Sequence, residues 1–348
     1  MKIKRFLHYW VQEIWIWPLL KEYLQVKKYC LQTSMGKSWI HYWNRFINRW
    51  WNNCSYSKRT NGNKHSIGDK MDYVTLSNNV KVPQLGFGVF QIPPQNTKKA
   101  VEDAISAGYR HFDTAQAYYN ESDVGQAIAD SGIPREEFFI TTKIWHSHHS
   151  YEDAKKACEE SLEKLQTDYI DLYLIHQNIG DVFATWRAFE ELYEEGKVKA
   201  IGVSNFTPAR FTNLALNSKI TPMVNQIEVN PFYQQDGIEE FYKKFDTKVE
   251  AWGPLAEGRD NIFKNPLLSK IAENHDKSVA QVILRWLTQR GIIVFPKSVK
   301  VERMEENFNI FDFELTDGEM NEIKSLQTNE PIANIDTPEF VEMISNFK

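Results

Sequence analysis

FFITTKIWHSHHSYEDAKKACEESLEKLQTDYIDLYLIH, residues 138–176, decides the fold. It opens on an apolar run, 138–142, and closes on another, 169–175. Between them, 151–165 places Ala154, Ala157, Cys158, Leu162 and Leu165 on one helical stripe at three- and four-residue spacing. A short apolar strand, an amphipathic helix and a second short strand form a βαβ unit with parallel strands. Cys158 lies on the apolar stripe and reads as a core residue, not a reactive thiol.

The same alternation runs outward in both directions. Strands read at 84–89, 110–114, 138–142, 169–175, 199–203, 223–228, 248–252 and 292–295, with helices between them such as 97–107, 151–165, 181–195 and 278–290. Trp186 and Phe189 share an apolar helix face with Val182 and Leu192 and read as barrel packing. Ahead of the first strand, YVTLSNNVKVP (73–83) alternates and turns at Asn78-Asn79, a β-hairpin signal. Eight strands alternating with helices predict an α/β fold, a single parallel (β/α)8 TIM barrel with an N-terminal hairpin. A doubly wound sheet would carry a glycine fingerprint. GFG at 86–88 lacks the third glycine and no helix follows it directly.

The chain has 348 residues and a formal net charge of −5; its 14% aromatic and 42% hydrophobic content excludes a disordered or collagen-like chain. These averages conceal a break at Met71. Residues 1–70 carry 13 Lys/Arg against 3 Asp/Glu, and they hold seven of the 11 tryptophans: Trp10, Trp15, Trp17, Trp39, Trp43, Trp50 and Trp51. Residues 71–348 carry 28 against 43, a net of −15, which argues against nucleic-acid binding there. The division is therefore 1–70, a basic aromatic extension, and 71–348, the barrel. No window in 1–70 approaches the roughly 20 apolar residues of a membrane span, and no secretory signal is present. Interfacial membrane contact and nucleic-acid stacking stay open for it. The favoured reading is a segment without its own fold, including a translation start set upstream of Met71. Its aromatics keep no helical period, and 58–70 (KRTNGNKHSIGDK) reads as a polar linker. Three scattered cysteines, Cys30, Cys54 and Cys158, fit a reducing compartment, the cytoplasm.

In a (β/α)8 barrel, chemistry collects where strands end. Strand two ends in Asp113-Thr114-Ala115, followed by Tyr118; strand three ends in Lys143, then Trp145; strand four ends in His176. Further round stand Ser204-Asn205, Gln226, Trp252 and Pro296-Lys297-Ser298. A phenol is a poor acid at neutral pH, a nearby ammonium lowers its pKa, and an Asp holds that ammonium in place. A His can hydrogen-bond a carbonyl oxygen or relay a proton. Together these groups suit protonating an oxyanion as hydride reaches a carbonyl carbon. The pattern offers no metal triad and no activated Ser or Cys. His146, His148 and His149 read as an exposed polar loop ahead of a helix, without a metal role.

DTAQAYYNE (113–121), TTKIW (141–145), LIHQN (174–178), IGVSNF (201–206), NQIEVNP (225–231), AWGPL (251–255) and PKSVKVERMEENFNIF (296–311) together resemble the aldo-keto reductase family. The likeness runs from about Met71 to the C-terminus and is greatest to short-loop microbial members active on 2,5-diketogluconate, glyoxal or methylglyoxal. It implies a barrel, usually monomeric, that reduces small-molecule aldehydes and ketones with NADPH and without a Rossmann fold. By that resemblance Tyr118 is the general acid, Lys143 lowers its pKa, Asp113 holds Lys143, and His176 orients the substrate carbonyl. Ser204, Asn205 and Gln226 would meet the nicotinamide carboxamide, Trp252 would stack on its ring, and Gly88 and Val89 would line the cofactor. Lys297, Ser298 and Arg303 would take the adenosine 2′-phosphate, with Glu306 and Asn307 at the adenine and Val299 also against the cofactor. Two cations and a hydroxyl at a helix start suit a dianionic phosphate. Phe90 and Trp252 stand where many mammalian relatives carry Trp and Tyr. They leave a substrate pocket of Phe90, Trp145 and His176, with Gln177 and Asn178 beside it. The C-terminal substrate loop, 329–348, is abbreviated, which implies broad specificity. The alternative is a cofactor-binding regulatory or membrane-tethered subunit with slow turnover. Retention of Asp113, Tyr118, Lys143 and His176 argues against a purely structural role.

Overall fold

The computed structural model describes residues 71–347; the readings placed on 1–70 lie outside the described residues. β1 (Tyr73–Thr75) pairs antiparallel with β2 (Lys81–Pro83), so the expected hairpin is present. Asn79 turns it with a left-handed φ of 67°, a conformation that Asn tolerates.

The barrel follows in chain order. β3 (Phe87–Gly88) leads through α1 (Pro94–Ser106) to β4 (His111–Asp113), then α2 (Glu121–Asp130) and β5 (Phe139–Ile144). α3 (Tyr151–Leu165), β6 (Leu172–Ile175), α4 (Val182–Glu194), β7 (Ile201–Ser204) and α5 (Pro208–Leu216) come next. β8 (Val224–Glu228), α6 (Ile238–Lys243), β9 (Lys248–Trp252), α7 (Pro266–Asn274), α8 (Val279–Gln289) and β10 (Ile293–Val294) complete the round. α9 (Val301–Phe308), α10 (Asp317–Lys324) and α11 (Pro338–Ser345) follow the last strand. β3 to β10 pair in sequence order, all parallel. Leu85 bridges in parallel to Val294, and Val294 N–H donates to Gln84 O at 3.0 Å, so the sheet closes on itself. Closure leaves the eight-stranded sheet without a free edge.

The strands are buried on both faces, as crossover helices on a parallel sheet require; all six residues of β5 are buried. Boundaries differ where the barrel closes. The apolar runs 84–89 and 292–295 record burial, yet only Phe87–Gly88 and Ile293–Val294 pair as strands. Gly86 is needed there because a Cβ would lie 2.6 Å from the Phe295 ring that fills the interior. β5 runs two residues past the expected end, which sets Lys143 inside the ladder opposite Leu174. α3 has the expected bounds, capped by Ser150 accepting from Asp153 N–H. Cys158 is buried on its core face, where burial pushes the thiol up to about 12. Trp186 and Phe189 are core as expected, Phe189 stacking on Tyr173 at 4.4 Å.

Candidate active site

Lys143 is fully buried. Its Nζ donates to both oxygens of Asp113 at 2.7 Å and to Thr114 O at 3.0 Å, so all three ammonium hydrogens have acceptors. The two residues sit on neighbouring strands, β4 and β5, whose register puts Asp113 beside Thr141. Burial alone would favour the neutral amine. Asp113, Tyr118 and Glu250 outweigh it and hold Lys143 above its ordinary pKa.

Tyr118 comes from the loop after β4, at the end of a tight turn over Gln116–Tyr118. That loop is tied down from both sides. Gln116 Nε2 donates to Ala157 O at 2.9 Å, and its Oε1 accepts from Trp145 N–H. Asn120 accepts from Thr114 Oγ1 and donates to Val89 O. Tyr118 is thereby held with Lys143 Nζ 5.1 Å from its ring centre, against Phe90 at 4.9 Å and His176 at 5.6 Å. Burial pushes its phenol up to about 12; Lys143 pulls down and Asp113 pushes further up. Lys143 acts in the expected direction, but in the protein alone desolvation wins. His176 follows β6 directly. Burial first, then Lys143, His149 and His146, drive its pKa well below the ordinary value, so the imidazole is neutral. The geometry thus joins an unionised phenol, a buried ion pair and a neutral imidazole.

Asn205 ties the neighbouring strand ends together. It has a left-handed φ of 63° just past β7. Its amide donates to His176 O at 3.1 Å, and its Oδ1 accepts from Trp252 Nε1 at 2.9 Å. Ser204 Oγ donates to Gln226 O at 2.9 Å. Gln226 Nε2 is committed to Asp113 at 2.8 Å and Glu250 at 3.0 Å, which leaves its Oε1 as the end that could meet a cofactor. Gly88 and Val89 are buried at the end of β3. Lys297, Ser298 and Val299 lie on the β10–α9 connection, Arg303 on the first turn of α9, and Glu306 and Asn307 on its last turn. Lys297 and Arg303 are exposed, Ser298 and Asn307 buried, and Val299 leaves 60% of its surface in water. α9 begins without a side-chain cap. An uncapped helix start with Lys297 and Arg303 near it in sequence is a donor set that fits a phosphate dianion.

Trp145 packs edge-on against His176 at 5.2 Å, so Phe90, Trp145 and His176 form one ring cluster with Tyr118. Gln177 and Asn178 border an adjoining crevice with Arg210, Ile335 and Phe340. The short C-terminal segment is folded rather than an open loop. Trp145 Nε1 donates to Phe347 O at 3.2 Å, and α11 buries Phe340 and Ile344. The histidine cluster also departs from its expected exposure: His149 is buried with Nδ1 on Ile179 O, and His146 is half-buried. Gly180, at φ 80°, brings the 177–180 loop onto His149. Among the described residues no group of three His, Cys, Asp or Glu could hold a metal, and no helix is long and apolar enough to cross a membrane.

Sequence reading missed two buried carboxylates. Glu250, within β9, shares the Gln226 amide with Asp113. Glu228, the last residue of β8, accepts Ile332 N–H on both oxygens at 2.8 Å and pins the C-terminal segment. The signal was weak: Glu250 shares its strand with Lys248, and Glu228 ends one that already holds Asn225 and Gln226.

Residues 84–328 match the family model described as the aldo/keto reductase family. The chain is 50% identical over 262 residues to the 9,11-endoperoxide prostaglandin H2 reductase of Trypanosoma cruzi, covering 74% of this chain and 93% of that protein. It is 46% identical over 263 residues to the glyoxal reductase of Bacillus subtilis, covering 75% and 95%. Among solved structures, an aldo-keto reductase of Bombyx mori in complex with NADP superposes with a TM-score of 0.74 at 34% identity, covering 78% of this chain and 99% of that one.

Proposed function

The chain belongs to the aldo/keto reductase family, and from that premise we propose that it is an NADPH-dependent reductase of small aldehydes, dicarbonyls and keto sugars with Tyr118 as its general acid. The observation that carries the reading is the buried Lys143–Asp113 pair set beneath Tyr118, with a neutral His176 across from it. NADPH, when bound, supplies the hydride. Tyr118 gives its hydroxyl proton to the oxygen that gains charge, and Lys143 compensates the phenolate left behind. Asp113 keeps Lys143 charged and aimed. His176, held neutral, offers an imidazole N–H to the carbonyl oxygen without adding a competing cation. Phe90 and Trp145 shield the reacting carbonyl from water.

For the cofactor, Trp252 offers a ring face held by Asn205, and Ser204, Asn205 and the remaining Oε1 of Gln226 offer polar groups to a carboxamide. Lys297, Ser298 and Arg303, at the uncapped start of α9, suit the adenosine 2′-phosphate, with Val299, Glu306 and Asn307 beside the base. Gly88 and Val89 give the cofactor a small-residue wall. Residues 71–348 form the reductase unit.

Loss of NADPH absorbance tests this reading. The full chain is given methylglyoxal, glyoxal, a diketogluconate, a nitrobenzaldehyde or a simple ketone, with Tyr118→Phe run alongside. The wild type turns over, and the variant loses at least about a hundredfold in kcat while still binding NADPH. Near-normal turnover by Tyr118→Phe removes Tyr118 from its role. Tight NADPH binding by the wild type without turnover of any carbonyl removes the reductase reading.

A further inference from the structure

Glu250 is a second carboxyl beneath the site, and the reaction described above does not use it. It lies mid-strand in β9, fully buried, in register with Gln226 on one side and Ile293 on the other. Its Oε2 accepts from Gln226 Nε2 at 3.0 Å; the same nitrogen donates to Asp113 Oδ2 at 2.8 Å, and both Asp113 oxygens hold Lys143 at 2.7 Å. Its Oε1 has no hydrogen-bond partner among the described residues. Any amide could serve Gln226 as an acceptor. A buried carboxyl there adds something an amide cannot, an ionisation next to the ion pair. The charged groups facing it are Asp113 from β4 and Lys143 from β5; Ile293 on β10 brings none. Burial and the like-charged Asp113 push its carboxyl up to about 8, against the pull of Gln226 and Lys143. An ionised Glu250 in turn holds Lys143 more firmly protonated.

We propose that Glu250 is a positioning residue for the Asp113–Lys143 pair: protonated during carbonyl reduction, it loses its proton in alkaline solution, places a second negative charge behind Lys143, and delays the ionisation of Tyr118. The proposal rests on the reductase reading. Reduction needs the Tyr118 proton, whereas the reverse oxidation of an alcohol needs the phenolate as base. Glu250 therefore sets how alkaline the solution must be before oxidation gains speed.

Glu250→Gln keeps the shape and an acceptor for Gln226 but removes the charge. Two readouts apply to the full chain: the ultraviolet phenolate titration of Tyr118, isolated by subtracting Tyr118→Phe in each background, and the pH profile of NADP-linked oxidation of a simple alcohol. In the variant, the Tyr118 phenolate fraction at a given alkaline pH rises at least about threefold, because Lys143 loses the second negative charge it faces. The oxidation profile moves to lower pH with it. A titration that does not move, or a kcat that falls equally at every pH, overturns the proposal and leaves Glu250 a structural acceptor. Should Glu250→Gln not fold, Glu250→Leu is read in the same way. The phenolate titration needs no turnover, so an inactive wild type would remove the reductase reading while the Glu250 result stood.

Discussion

Lys143 and Arg303 are both cations at the same end of one barrel, yet the fold treats them oppositely. Lys143 is sealed between β4 and β5 with every ammonium hydrogen spoken for. Arg303 stands in water on the first turn of α9. Inside the barrel the dielectric is low and no solvent can replace a lost partner, so removing one ion strands the other. At the rim, water takes over whatever the side chain leaves behind. On the proposed function the floor of the site then serves chemistry and stability at once, whereas the rim sets cofactor choice without touching the fold.

The largest expected effect breaks the floor. Lys143→Met strands Asp113 in the barrel interior, and the urea midpoint should fall by an amount equal to about 3–5 kcal/mol. Turnover should fall by at least about a hundredfold as well. Lys143→Met combined with Asp113→Asn removes both charges and should recover much of the stability while turnover stays lost. A single variant with an unmoved midpoint would mean that the pair is not coupled to folding, and the contrast with the rim would collapse.

This contrast also sets how much was legible in the sequence. Strands buried on two faces leave apolar runs that need no partner to be recognised, and α3 could be read to its ends from one stripe. Asp113, Lys143 and His176 stand where such runs stop, so barrel geometry brings them together. What periodicity reports is burial, not pairing; hence 84–89 and 292–295 were read longer than the hydrogen bonds that close the barrel. The nearness of Lys143 to Tyr118 was readable, but the depth of burial was not. Hence the pull of Lys143 was foreseen, while the desolvation that outweighs it was missed. Glu250 and Glu228 hid inside 248–252 and 223–228 because a polar residue in a short strand does not say which side chains the barrel buries. HSHHS was judged by polarity, and nothing local announces that Gly180 folds the next loop over His149.

Glu228 sharpens the comparison because it is a buried carboxyl at the rim itself. It grips Ile332 N–H and accepts from Asn230 Nδ2 at 3.0 Å. Burial nevertheless pushes it up from 4.5 to about 7, against those bonds. The sign follows from linkage. Below the unfolded value both states hold the proton, and the group costs nothing. As the pH rises, the unfolded chain releases its proton first, so stability is lost progressively until the folded value is passed. Between about pH 5 and pH 8, wild type should lose up to about 3 kcal/mol relative to Glu228→Gln, followed by urea midpoints at each pH. Parallel curves for the two proteins would show that Glu228 is solvated in the folded state and that the rim holds no buried charge at all.

Arg303→Ala should give the smallest change and the cleanest separation. With its side chain already in water, the urea midpoint should move by no more than about 0.5 kcal/mol. NADPH affinity should nonetheless drop about tenfold, the worth of one charge-assisted bond of about 1.5 kcal/mol. NADH, which lacks the 2′-phosphate, should bind as before. The NADPH loss should also shrink as salt is added, because an exposed ion pair is screened over about 10 Å at ordinary ionic strength. None of these signatures is open to Lys143, whose partners are shielded from salt. Equal losses for both cofactors would place the phosphate elsewhere and turn Arg303 into a solvated helix start. A selective, salt-sensitive loss at unchanged stability would establish that the two cations at this end of the barrel do separable work because one is dry and the other wet.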